Sequence, residues 1–255
     1  MKPESFSLLP NWPGTQVFCT TRAGGASLPP YDSFNLGDHV GDDPQAVFNN
    51  RQLLAQHLRV RPVFMRQVHG SVVAQLHHDT PDGQQADACF TKETGVACTI
   101  MVADCLPILF YSPSQRLVAA AHAGWRGLAG VAGQGGVLQA VHQVLVSRKA
   151  LDDVQVWLGP CIGPQAFEVG EDVRQAFAAS SDQAELAFQP LPETGKYLGD
   201  LALLARQRLQ TWVGAKVSGN DSTPSWCTFS NPEVFFSYRR DGACGRFAVG
   251  IALTG

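Results

Sequence analysis

The chain has 255 residues, of which 45% are hydrophobic and 16% charged, and its formal net charge is −3. That balance, with no Lys/Arg run, excludes a nucleic-acid binder working by phosphate neutralisation, and no apolar run approaches the ~18 residues of a membrane helix. A soluble globular protein with small-molecule ligands is expected, and a cytoplasmic one, because the N-terminal stretch lacks the apolar centre of a secretory signal. The seven cysteines contain no CxxC and lie mostly inside apolar stretches. They read as small core residues and not as a disulfide framework.

Residues 15–22 (TQVFCTTR) read as a strand, ended by AGGASLPP, whose glycines and prolines force a loop. The polar segment YDSFNLGDHVGDDPQ follows and gathers Asn35, Asp38, His39 and Asp42. Binding residues concentrate in loops of this kind on a rigid scaffold. Asp43 and Pro44 form a helix start, N-cap and first helical position. Val47, Leu54 and Leu58 continue at helical spacing, with Arg51 near the middle. Residues 62–69 (PVFMRQVH) and 71–76 (SVVAQL) are expected to be strands meeting at Gly70, which would put His69 at a strand end. A polar turn follows, then a short strand over 88–91 after Asp87, and a buried strand over 96–103.

Residues 102–127, VADCLPILFYSPSQRLVAAAHAGWRG, hold two apolar runs separated by turn chemistry, the pattern of a core hairpin. Cys105 and His122 stand at the ends of those runs, where a thiol and an imidazole serve either as core filling or as metal ligands. A helix is expected over 128–148, a strand over 154–158, a tight turn at GPCIGP, and helices over 171–179 and 198–212. The C-terminal stretch reads as two strands joined across 239–245. Helices and strands mix without strict alternation, repeat or linker, which predicts a single α+β domain of mixed sheets.

His69 is the third candidate ligand. His69, Cys105 and His122, drawn from three strand ends, match the donor set of a catalytic zinc, in which two imidazoles and a thiolate leave the fourth tetrahedral position open. Each of the three is equally readable as a satisfied core residue from spacing alone.

The strings QVHG, ADCLPILF, AAHAGWRG, GPCIGP and SYRRDGACGR, preceded by TRAGGASLPPYDSFNLGDHVGDDPQAVFNNR, resemble the YfiH family, also called the polyphenol oxidase or laccase-domain family. The likeness covers nearly the whole chain, and the resemblance implies a single domain over residues 1–255, an α/β/β/α sandwich of mixed sheets. It implies that His69, Cys105 and His122 bind one zinc and form the catalytic centre. The activities it implies are phosphorolysis of adenosine, inosine, guanosine and methylthioadenosine, and deamination of adenosine; the alternative is hydrolytic editing of peptidoglycan precursors. Nucleoside and phosphate are then the partners, and a monomer or weak homodimer is expected.

Arg22, Arg51, Arg126, Arg239 and Arg240 all lie in matched segments and offer bidentate geometry for phosphate. Arg51 and Asn35 are preferred for substrate contact, because their loop and helix precede the zinc strands and can fold over them. Asp104 is a candidate acceptor for an imidazole N–H, unless strand alternation turns it away from Cys105. Copper can replace zinc in a His2Cys site, but a multicopper laccase needs more imidazoles than the seven histidines present. Two further rivals are a metal-free hydrolase using Cys105 with His122 as base and a non-catalytic module stabilised by zinc.

Overall fold

The computed structural model describes residues 6–130, 135–178 and 182–255, and within them side-chain parity along the strands decides the layering. One sheet runs in the order β1 (Thr15–Cys19), β13 (Phe247–Leu253), β5 (Val96–Val102) and β2 (Arg61–Phe64). Only β2 and β5 are parallel in it. The other runs β12 (Lys216–Gly219), β8 (Gln155–Leu158), β6 (Leu106–Ser112), β7 (Leu117–Ala123), β4 (Ala88–Thr91) and β3 (Val73–Gln75). Its two outer pairs are parallel and its inner ones antiparallel.

Cys98, Ile100 and Val102 of β5 and Val249 and Ile251 of β13 face Leu109, Tyr111, Val118 and Ala120 of the larger sheet, forming the central layer. The alternate residues, Ala97, Met101, Ala248 and Ala252, pack under Leu54 and Leu58 of α1 (Pro44–Leu58). Across the molecule, Ile108, Phe110, Ala119 and Ala121 pack under Val141 and Leu145 of α3 (Val137–Ser147) and Leu204 and Ala205 of α5 (Leu201–Leu209). The result is the α/β/β/α sandwich of mixed sheets. It explains why β5, β6 and β7 are buried at every position: a strand covered on both faces has no polar side.

The smaller elements frame one end. They are α2 (Trp125–Ala129), α4 (Glu171–Ala178), α6 (Tyr238–Asp241) and a three-stranded sheet of β10 (Phe188–Leu191), β11 (Lys196–Gly199) and β9 (Glu168–Val169). Among the described residues no helix is long and apolar enough to cross a membrane.

The hairpin stands as β6 and β7, and Asp43 caps α1 by accepting from Gln45 N at 3.0 Å. Other expectations are corrected. The helix over 128–148 is two helices, α2 and α3, and part of its start, residues 131–134, lies outside the described residues, as does Ala179 of the helix expected over 171–179. The helix over 198–212 starts only at Leu201, because Leu198 is paired in β11 and the Asp200 carboxylate caps Leu203 N at 2.9 Å. It ends at Leu209.

The stretch before Arg239 is not a strand. Asn231 ties it into turns, its side chain donating to the carbonyls of Pro224 and Cys227 and its carbonyl accepting from Val234 and Phe235. The strands over 62–69 and 71–76 shrink to β2 and β3, so His69 sits in the loop between them at φ +60° and not at a strand end.

Candidate metal centre

The loop that carries His69 is shaped by one carboxylate. Asp87, fully buried at the head of β4, accepts from the backbone N–H of His69 and Gly70 at 2.8 and 2.7 Å and from Val68 N at 3.1 Å. Those three donors are thereby withheld from any sheet partner, so no strand extends over 68–70. The same carboxylate meets His122 Nδ1 at 2.9 Å, and the Asp87 carbonyl accepts His122 N at 2.7 Å. Burial would raise the Asp87 carboxyl, but the hydrogen bond from His122 and those from Gly70 and Val68 outweigh it and hold it below the usual range. An ionised carboxylate only accepts, so Nδ1 carries the proton and Nε2 is left for other chemistry.

His122 has the parity of Val118 and Ala120 along β7, which places it on the inter-sheet side at the strand's end. Cys105 enters from the start of β6. Burial would raise its thiol, but the His122 imidazole, with help from His69, brings it well below the ordinary value. Conversely the thiolate and Asp87 raise His122 against its burial. The pair therefore favours thiolate beside imidazolium, the state from which a metal displaces one proton.

One donor atom from each of His69, Cys105 and His122 lies within 4.8 Å of the other two, and the imidazole centroids are 4.7 Å apart. Zinc holds such donors at about 2.0 to 2.3 Å, so the cluster has the size and donor set for one ion. It is the single such group among the described residues.

Gly124 makes this approach feasible: a Cβ there would lie 2.6 Å from His69 Nδ1 and 3.0 Å from Cys105 Sγ. Asp104 turns the chain ahead of Cys105 at φ +90°. Its oxygens accept from Thr228 Oγ1 at 2.6 Å and Arg239 N at 2.7 Å, and its carbonyl accepts Ile162 N at 2.9 Å. It braces the wall of the site, and the acceptor role foreseen for it toward an imidazole belongs to Asp87.

The cluster opens onto a cavity of about 290 Å³ whose walls include Trp125, Arg126, Phe167, Tyr238 and Arg239. A larger hollow of about 740 Å³ lies between α3 and α5, near His142 and Trp212. Among the described residues the three-donor group lies at the smaller cavity and not at this one.

Asn35 and Arg51 do not line the cavity beside the cluster. Asn35 is fully buried and its amide is used within the chain: Nδ2 donates to Gly37 O and Asp42 Oδ2, and Oδ1 accepts from Gly37 N and Arg246 N. Arg51 donates to Leu36 O at 2.9 Å, pairs with Asp38 at 3.3 Å and lies 4.2 Å over Phe64. Asn35 accepts from the backbone N–H of Arg246, whose guanidinium is 5.8 Å from the Tyr238 ring. Sequence reasoning missed Asp87, Gly124 and Tyr238. The one signal for Asp87 was a lone carboxylate inside the apolar string ADACF.

A family model described as multi-copper polyphenol oxidoreductase laccase matches residues 16–254. The chain is 47% identical over 244 residues to purine nucleoside phosphorylase PA4543 of Pseudomonas aeruginosa, covering 94% of this chain and 96% of that one. It is 44% identical over 251 residues to purine nucleoside phosphorylase YfiH of Escherichia coli, covering 96% and 98%. Among solved structures, Neisseria meningitidis protein NMB0706 superposes with a TM-score of 0.85 at 40% identity, covering 96% and 98%. YlmD from Geobacillus stearothermophilus does so at 0.85 and 32%, covering 95% and 93%.

Proposed function

Since the chain belongs to the laccase-domain (YfiH) family, described as multi-copper polyphenol oxidoreductase laccase, we propose that it is a zinc-dependent purine nucleoside phosphorylase that also deaminates adenosine. The observation that carries this reading is the His69–Cys105–His122 cluster beside a cavity of about 290 Å³, near the small end of ligand-pocket sizes. Relatives at 44% and 47% identity named purine nucleoside phosphorylase support it. A single three-donor group among the described residues argues against a multicopper cluster; copper enters only as a substitute for zinc. In this reading residues 1–255 form one catalytic domain, working in the cytoplasm as a monomer or weak homodimer on nucleoside and phosphate.

Zinc, when bound, supplies a Lewis acid with an open coordination position. The chain supplies the rest. Asp87 holds the proton on His122 Nδ1, fixing the ring and its tautomer so that Nε2 would be the nitrogen free to hold the ion. Trp125, Phe167 and Tyr238 give the cavity aromatic walls that exclude water and suit a purine face. Asn35 holds the loop over 35–42 to the Arg246 backbone and Arg51 holds the same loop through Leu36 O, and it is through that loop that both bear on substrate binding. In phosphorolysis a phosphate oxygen bonds to the ribose C1′ as the C1′–N9 bond breaks and the base leaves with its electrons.

The test is product identification. Zinc-loaded protein is incubated with adenosine, inosine or guanosine, with and without phosphate. Free base and ribose 1-phosphate are expected only with phosphate, and inosine from adenosine in either case. No conversion of any nucleoside overturns the reading. Cys105→Ala is expected to lose bound zinc and turnover with only a modest Tm shift, whereas a purely structural zinc module would unfold.

The alternative reading is a Cys105–His122 hydrolase that would edit peptidoglycan precursors, with the lowered Cys105 thiol as its nucleophile. Full activity after chelation of zinc would select it over the zinc mechanism.

A further inference from the structure

The structure sorts the arginines of the matched segments by what they are already bonded to. Arg22 donates to the carbonyls of Asp32 and Pro232. Arg51 is held by Leu36 and Asp38, and Arg240 by the carbonyls of Thr228, Phe229 and Phe235 and by Asp241. Their donors are committed to the fold. Arg126 and Arg239 differ.

Both are exposed, both line the cavity beside the His–Cys–His cluster, and neither has a carboxylate partner among the described residues. Arg126 lies with its guanidinium carbon 4.3 Å from the Trp125 centroid. Arg239 lies 5.7 Å from the Phe167 centroid, and only its Nη1 is bonded, to the carbonyls of Glu168 at 2.8 Å and Ala166 at 3.5 Å. A ring contact takes no N–H donor from a guanidinium, and the planar guanidinium fork is the geometry that oxyanions accept bidentately.

Charge points the same way. The carboxylate lining this cavity is that of Asp104, and its oxygens are taken by the Thr228 hydroxyl and Arg239 N. Two guanidiniums against one such carboxylate leave the lining cationic, and a divalent ion on one thiolate adds further positive charge.

We propose that Arg126 and Arg239 form the subsite for the phosphate co-substrate, binding inorganic phosphate in the cavity it shares with the base and the metal. The proposal rests on the phosphorolytic reading above. It assigns specificity for a tetrahedral dianion to two exposed arginines that have no carboxylate partner among the described residues.

The test uses the zinc-loaded full chain. In Arg126→Ala and in Arg239→Ala, KM for phosphate is expected to rise about tenfold or more, the scale of one lost charge-assisted hydrogen bond, with KM for inosine within about threefold of wild type. Arg126→Lys and Arg239→Lys, which keep the charge and lose the fork, are expected to fall between. Equal rises in both KM values, or an unchanged phosphate KM, overturn the proposal.

Calorimetric titration of inorganic phosphate separates this from a failure of the phosphorolytic reading. If turnover shows no phosphate dependence, phosphate binding that disappears in the double alanine variant still upholds the subsite, and binding that survives it overturns the subsite. If inorganic phosphate does not bind but AMP outbinds adenosine by a margin the double variant removes, the pair reads a phosphoryl group on the nucleoside and the co-substrate assignment is overturned.

Discussion

Asp87→Asn is the most informative single change. The carboxylate of Asp87 accepts four N–H groups, two at each oxygen: His69 N and His122 Nδ1 at Oδ1, Val68 N and Gly70 N at Oδ2. An asparagine amide fits the same space but replaces one of those acceptors with a donor. Two of the four N–H groups then face an N–H2 in a site with no solvent exposure. Each lost hydrogen bond to a buried charge costs about 1.5 to 3 kcal/mol, so the pair costs about 3 to 6 kcal/mol.

Against a total stability of about 5 to 15 kcal/mol, that is a large fraction. The metal-free protein is expected to melt at least ~6 °C lower. Zinc affinity is expected to fall by about 10- to 100-fold, since His122 loses its anionic partner and the His69 loop its brace. Differential scanning calorimetry of the metal-free protein and competitive titration of zinc against a chromogenic chelator measure the two effects separately. A variant that melts within about 2 °C of wild type and binds zinc within about twofold would refute the argument that this carboxylate organises the centre.

Gly124→Ala is expected to do the opposite, sparing the fold and spoiling the site. Its φ of −68° suits alanine, so the backbone cost is nil, while the new Cβ would stand 2.6 Å from His69 Nδ1 and must displace the ring. Zinc stoichiometry below one per chain and a fall in turnover of about a hundredfold, at an unchanged Tm, are expected; full zinc occupancy would contradict it. Arg51→Ala removes a bond to Leu36 O and a guanidinium packed 4.2 Å over Phe64. A loss of about 1 to 3 kcal/mol by chemical denaturation is expected, with KM for inosine raised and KM for phosphate unchanged, and a rise confined to phosphate would move the phosphate subsite to the loop.

Much of the fold was legible because its determinants are local in sequence. The all-apolar runs of β5, β6 and β7 announce strands covered on both faces, the SPSQR turn between two of them announces their pairing, and Asp43 with Pro44 announces α1. The motif strings carried the family and drew attention to His69, Cys105 and His122. Legibility failed where a side chain from elsewhere in the chain captured the backbone. PVFMRQVH has strand composition, yet its last residues are bent away by Asp87, and the aromatic stretch before Arg239 is held in turns by Asn231 and by the Arg240 guanidinium.

The site divides along the same line. Residue chemistry and order along the chain were enough to nominate two imidazoles and a thiolate and to predict α/β/β/α layering by family likeness. Tertiary structure alone decided that Asp87, and not Asp104 beside the cysteine, serves the imidazole, because a hydrogen bond depends on position in space and Asp104 is turned at φ +90° toward Thr228 and Arg239. It also decided which arginines keep their donors. A guanidinium's availability depends on what the folded chain places around it, and nothing in the order of residues distinguishes Arg240, closed on three carbonyls, from Arg239 beside it.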